Sequence, residues 1–72
     1  MEYIINLTWD EDENVWIAQS DDVPGLVLES GSFDALLERV RFAVPELLDL
    51  NTKSSPAPYL TFISRRQERI AL

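Results

Sequence analysis

Residues 20–26 read SDDVPGL, and this short stretch lies between the runs VWIA and VLES, both typical of β-strands. Pro24 fixes its own φ and has no N–H to donate to a sheet, while Gly25 tolerates a positive φ. Because these two residues stand at the centre of Val-Pro-Gly-Leu, the sequence predicts a type II turn. We therefore expect a corner between the second and third strands of a sheet, with Asp21 and Asp22 beside it in solvent.

The residues before this corner predict an antiparallel hairpin. Residues 2–9 (EYIINLTW) place large apolar side chains at alternate positions, residues 10–14 (DEDEN) form a polar loop, and residues 15–20 (VWIAQS) resume the β pattern. The register has two solutions, with Trp9 opposite either Val15 or Trp16, and a slip by one residue reverses the faces. We favour Trp16, because two indoles on one face pack well.

The third strand is expected at residues 26–30. The residues after it predict one amphipathic helix over about 33–49. Ser32 is the expected N-cap, and Asp34 lies in the first turn, where the helix dipole favours an acid. The apolar stripe consists of Phe33, Leu36, Leu37, Val40, Val44, Leu47 and Leu48. Pro45 leaves two alternatives: the helix bends there around the core, or it breaks at Val44 and a second short helix covers 45–50.

A polar loop at 51–58 and a fourth strand at 59–64 complete the order β-β-β-α-β, while the tail at 65–72 has no clear pattern. This order predicts an α+β two-layer sandwich, a single domain over 1–72, with the fourth strand parallel to one of the first three. The sheet face away from the helix keeps some apolar residues, which suits a dimer interface; the candidates are Ile4, Ile17, Val27 and Ile63.

The chain has 72 residues and contains neither Cys nor His, so disulfide, thiolate and imidazole sites are excluded. A core of this size leaves only about 3–5 kcal/mol of stability, and small domains without a disulfide or a zinc ion commonly associate. We therefore expect a homo-oligomer, most simply a homodimer. The N-terminus lacks the basic segment of a signal peptide, and no apolar run is long enough to span a membrane, so a cytoplasmic protein is expected.

The charge is unevenly distributed, with ten acids and no base in residues 1–38. Such a surface repels phosphate backbones, which disfavours direct nucleic-acid binding, and attracts a basic protein. The alternative reading is that these acids only keep the domain soluble. The partner-binding candidates flank the second strand, and they are Asp10, Glu11, Asp12, Glu13, Asp21 and Asp22.

The sequence gives little support to the hypothesis of a catalytic function. A metal-dependent nuclease would need converging carboxylates, for which Asp10, Asp22 and Asp34 are the candidates. The DEDEN loop is too short for a calcium-binding EF-hand, and with no His or Cys a nucleophile–base pair is missing. We predict a non-catalytic protein without a cofactor, with the nuclease and a purely structural oligomer as alternatives.

Two further features have simple explanations. The basic cluster of Arg65, Arg66 and Arg69 is interrupted by Glu68, and we expect a solvated tail that offsets the acidic half of the chain. A pair of tryptophans can stack on nucleic-acid bases. Among so many acids, however, Trp9 and Trp16 are expected to pack in the core or at an interface.

Several segments together resemble HicB-like proteins, the antitoxins of a bacterial toxin–antitoxin system. In order and spacing these segments are Trp16-Ile17-Ala18, Asp22-Val23-Pro24-Gly25-Leu26 and Ser32-Phe33-Asp34-Ala35-Leu36. The helix segment Val44-Pro45-Glu46-Leu47-Leu48 resembles that of a short subgroup.

The resemblance implies a partial ribonuclease H-like fold without nuclease activity, oligomerisation, and binding to a small basic toxin that cleaves mRNA. Full-length antitoxins of this kind usually continue into a DNA-binding domain. Because no such domain follows in this sequence, operator binding is not expected here.

Overall fold

A computed structural model describes residues 1–50 and 57–72 of the chain. The elements, in chain order, are β1 (Glu2–Asp10), β2 (Val15–Gln19), β3 (Val27–Ser30), α1 (Phe33–Leu47) and β4 (Tyr59–Arg65). The fold is therefore α+β, as predicted, with one helix and a mixed sheet of four strands. Most of the loop predicted at 51–58 lies outside the described residues.

The strands lie in the order β3-β2-β1-β4. β2 is antiparallel to both β1 and β3, and β4 is parallel to β1, which confirms the expected parallel pairing of the fourth strand. Trp9 pairs with Trp16, so the favoured hairpin register is confirmed. This register places Ile5, Leu7 and Ala18, all fully buried, on the helix side of the sheet.

The corner between β2 and β3 is a type II turn, as the sequence predicts. The N–H of Leu26 donates to the carbonyl oxygen of Val23 at 3.1 Å, and Gly25 has φ 86°. The side chains of Val23 and Leu26 are both buried in the core, so hydrophobic packing holds the corner against the helix layer.

The helix begins at the predicted cap. The hydroxyl oxygen of Ser32 accepts a hydrogen bond from the N–H of Ala35 at 3.3 Å. α1 continues through Pro45 to Leu47, so the alternative of a break at Val44 is wrong, and the helix is two residues shorter than predicted. Pro45 is exposed, which puts its missing N–H on the solvent side.

The core lies between α1 and the sheet. The helix contributes Leu36, Val40 and Val44, and its backbone approaches β2 and β3. Within residues 1–50 and 57–72, no helix is long and apolar enough to cross a membrane.

Candidate functional site

Four of the predicted partner-binding acids lie at the hairpin between β1 and β2, with Asp10 at the end of β1 and the other three in the loop. The carboxylate of Asp10 accepts hydrogen bonds from the N–H groups of Asp12 at 3.0 Å and Glu13 at 3.3 Å. Asp10 therefore shapes the loop, while the side chains of Glu11, Asp12 and Glu13 are exposed. Asn14 closes the loop with φ 56°, a conformation that asparagine tolerates well.

The other two predicted acids lie at the opposite end of the sheet, where β2 has ended and β1 has just begun. The N–H of Ile4 donates to the carboxylate of Asp22 at 2.7 Å, and the hydroxyl of Ser20 donates to the carbonyl oxygen of Ile4. The Asp22 N–H in turn donates to the Ser20 hydroxyl at 3.0 Å. These two side chains replace the missing strand partner of Ile4, so Asp22 has a structural role that the sequence did not reveal.

The six predicted acids therefore form two sets. Ile4 and Asp10 are six residues apart in β1, which corresponds to about 20 Å along the strand. Glu11, Asp12 and Glu13 lie beyond one end, whereas Asp21 and Asp22 lie at the other. A single small contact cannot involve both sets, so the hairpin-loop end and the corner end are separate candidate surfaces.

The separation between the two ends of β1 also argues against the nuclease alternative. Asp34 is in the first turn of α1, which starts near the hairpin loop, because Gly31 approaches the carbonyl oxygen of Asn14. Asp10 is also at that end, but Asp22 is at the other. The three carboxylates do not converge, and the geometry gives this trio no support as a metal site. In the described part of the chain no other three acids are grouped to hold a metal ion.

An aromatic cluster lies next to the acidic loop. The rings of Trp9 and Trp16 have centroids 5.4 Å apart and are tilted by 59°, and Phe33 lies 4.8 Å from Trp16. All three side chains are half-buried. Their tilted geometry is favourable for aromatic pairs, so the two tryptophans pack against each other and against Phe33.

The tail after β4 returns to this cluster. The guanidinium carbon of Arg66 lies 4.2 Å from the Trp9 ring centre and 5.8 Å from that of Trp16, within the range of a cation–π interaction. Its Nε donates to the Glu68 carboxylate at 2.8 Å. The sequence predicted a solvated tail here, and it missed this contact because nothing in a short motif pairs Arg66 with Trp9.

Tail and loop also meet. A shallow cavity of about 260 Å³ is lined by Glu11 together with Gln67, Glu68 and Arg69. Arg66 and Arg69 of the basic cluster therefore lie beside the acidic hairpin loop, where their charges offset those of the loop. We call this region, formed by Glu11, Asp12, Glu13, Trp9 and Trp16, the loop-end surface.

The sheet face away from α1 forms a second surface, which we call the open face. It carries the four predicted apolar side chains, of which Ile4, Val27 and Ile63 are 37%, 71% and 44% exposed. Ile17 is half-buried. Between these residues lie neutral polar side chains. The charged Glu29 and Arg65 stand on the two outer strands, and Glu2 and Asp10 stand at the two ends of β1. The centre of the face is thus uncharged, unlike the loop-end surface.

Comparison with known proteins relates the chain to others of similar sequence and fold. A domain of unknown function, DUF1902, matches residues 2–71. The crystal structure of a hypothetical protein from the extremely thermophilic bacterium Thermus thermophilus is similar, with a TM-score of 0.70 and 30% sequence identity over 100% of both chains. No curated protein matches. Since the family covers nearly the whole sequence, the chain belongs to the DUF1902 family.

Proposed function

We propose that this protein is a non-catalytic protein-binding module that binds a small basic protein at the loop-end surface, in the manner of a HicB-like antitoxin masking its toxin. The observation that carries the proposal is Arg66, whose guanidinium rests on Trp9 beside the acidic loop. A surface that already holds one guanidinium has the chemistry to hold those of a partner.

The charge distribution supports a basic partner. Glu11, Asp12 and Glu13 are consecutive, exposed and at the tip of a hairpin, so all three carboxylates are accessible to a partner. With an overall net charge of −7, the chain attracts a cationic protein from a distance and speeds the encounter. The half-buried tryptophans then supply the apolar and cation–π contacts that a bound Arg or Lys side chain uses.

The fold is compatible with this proposal. The order β-β-β-α-β agrees with the HicB-like resemblance, which implies this order within a partial ribonuclease H-like fold. The Asp-x-Pro-Gly motif of that resemblance acquires a physical meaning, because Asp22 caps β1 while Gly25 supplies the positive φ of the corner. The proposal includes self-association, for which the open face is the candidate surface.

Isothermal titration calorimetry against each small basic protein encoded beside this one tests the proposal. We expect binding at about 0.15 M salt that weakens as salt increases. A triple variant, Glu11→Gln with Asp12→Asn and Glu13→Gln, should weaken binding at least tenfold. The matched control neutralises three acids elsewhere, Glu38→Gln with Glu46→Gln and Asp49→Asn, and should bind nearly as the wild type does.

Two results would contradict the proposal. One is the absence of binding to every such neighbour at moderate salt. The other is equal weakening by the two triple variants, since this would mean that net charge alone, and not the loop-end surface, determines the interaction.

A further inference from the structure

The open face carries two rows of side chains that run across all four strands. The strand pairings place Glu29, Ile17, Thr8 and Arg65 side by side in the first row. The second row is Val27, Gln19, Asn6 and Ile63. In both rows the order is β3, β2, β1, β4, so the first row has an acid at one edge of the sheet and a base at the other.

Each row is complementary to itself when reversed. A half-turn about an axis that lies on the open face, parallel to the strands, puts β3 of one copy over β4 of a second copy, and β2 over β1. In the first row this brings Glu29 opposite Arg65 of the second copy. In the second row it brings Val27 opposite Ile63 and Gln19 opposite Asn6, so apolar meets apolar and amide meets amide.

We propose that two copies of this chain pack their open faces together about such an axis, with Glu29 of each pairing with Arg65 of the other. This arrangement rests on the self-association proposed above and specifies its geometry. A two-fold interface of this kind repeats every contact, so each favourable pair occurs twice. Packed sheets commonly align their strands within about 30° of each other. A rotation of this size displaces Glu29 and Arg65, at the edges of the face, by only a few Å.

The other symmetric way to stack the faces is less favourable. A half-turn about an axis perpendicular to the strands superimposes β3 on β3 and β4 on β4. Glu29 would then face Val27, and Arg65 would face Ile63, which leaves both charges against apolar side chains without a partner. Burying an unpaired charge is costly, so the distribution of charge selects the axis parallel to the strands.

The other features of the open face agree with a second copy as the occupant. Exposed apolar side chains on both outer strands, Val27 on β3 and Ile63 on β4, would lose their contact with water. The two acids at the ends of β1 already have partners within the chain: the hydroxyl of Thr61 donates to the Glu2 carboxylate, and the N–H groups of Asp12 and Glu13 donate to that of Asp10. A basic protein would be a poorer occupant of the open face. Its positive charges could pair with Glu29, but they would repel Arg65.

A charge-swap experiment tests the pairing. Sedimentation equilibrium would be measured for the wild type, Glu29→Arg, Arg65→Glu and the double variant. We expect a wild-type dimer and at least tenfold weaker dimerisation of each single variant, because like charges then meet twice in the interface. The double variant should recover to within about threefold of the wild type. The control Glu38→Arg, on the exposed side of α1, should not change dimerisation.

The charge swap at Glu29 and Arg65 reports on a contact between two copies and not on one within a chain. Within one chain, β3 and β4 are three strand spacings apart, about 14 Å, so Glu29 and Arg65 do not pair there. A monomeric wild type, single variants that dimerise as the wild type does, or a double variant that fails to recover would each overturn the arrangement. Circular dichroism confirms that each variant is folded. If the basic partner still binds while these tests fail, the partner-binding proposal stands without this dimer.

Discussion

Arg66 holds its guanidinium carbon 4.2 Å from the ring centre of Trp9, so the tail after β4 covers the aromatic cluster at the loop end of the sheet. Glu68 pairs with the same guanidinium and orients it over the ring. A tail without regular secondary structure is thus attached to the body of the protein through one cation. In the proposed function, a basic partner would compete with this cation for the same surface.

Replacing Arg66 by Gln tests the attachment. Because a cation–π interaction at an exposed site contributes about 0.5–1 kcal/mol, Arg66→Gln should lower the free energy of unfolding by a similar amount. Trp9 should also become more exposed, which shifts tryptophan fluorescence to longer wavelength. Arg69→Gln makes the same change of charge and is the control. If both variants shift the emission equally, the effect comes from charge and not from the contact with Trp9.

Asp22 should matter for stability, unlike its neighbour Asp21. Asp22→Ala removes the acceptor of the Ile4 N–H, and we expect a loss of about 1 kcal/mol, since water replaces part of the bond at this exposed site. Asp21→Ala should change stability by less than about 0.5 kcal/mol, as is usual for an exposed side chain. Urea unfolding measures both variants. Equal stability of the two would mean that the Asp22 cap contributes nothing.

The two glycines allow a matched test of the corner. Gly25→Ala places a side chain at φ 86°, and this should cost about 1–2 kcal/mol; the new Cβ would be 3.6 Å from Leu47, an ordinary contact. Gly31→Ala also has space, with 3.8 Å to the Asn14 carbonyl oxygen, and Gly31 is not at positive φ. We therefore expect a lower melting temperature for Gly25→Ala only. An unchanged value there would contradict the type II turn.

The sequence was sufficient where the deciding interactions are local. The Pro-Gly pair determines the corner, and Ser32 caps the helix three residues before Ala35, so both were readable from short patterns. The hairpin register also followed, because only one pairing puts Trp9 beside Trp16. Each of these predictions depended on residues close in the chain or on a single strong pair.

The interactions that were not predicted join residues far apart in the chain. The carboxylate of Asp22 accepts a hydrogen bond from the backbone of Ile4, eighteen residues away, and nothing in the sequence distinguished Asp22 from its neighbour Asp21. The contact of Arg66 with Trp9 requires β4 to lie beside β1, which a strand pattern alone does not determine. The alternation of apolar and polar residues predicted that the sheet face away from the helix is partly apolar. The rows of side chains on this face, however, depend on the order of all four strands.

The small core makes stability sensitive to single truncations. Leu36 is fully buried, and Leu36→Ala should cost about 2–5 kcal/mol, comparable to the whole stability expected of a domain this size. Phe42 is 69% exposed on the same helix, so Phe42→Ala removes a larger side chain at little cost. Circular dichroism during heating compares them. A folded Leu36→Ala with an unchanged melting temperature would show that the helix does not pack as described.

Pro45 offers the opposite test, a substitution expected to stabilise. It lies inside α1 in the last turn, where its missing N–H leaves the carbonyl of Arg41 without the usual helical partner. Pro45→Ala should restore that hydrogen bond and increase the free energy of unfolding by about 1–3 kcal/mol, less the entropy that proline removes from the unfolded chain. Glu46→Ala, at the next exposed position, should have an effect below about 0.5 kcal/mol. A Pro45→Ala variant that is less stable than the wild type would mean that the helix geometry at this turn depends on the proline ring, because the lost packing would then exceed the gained hydrogen bond.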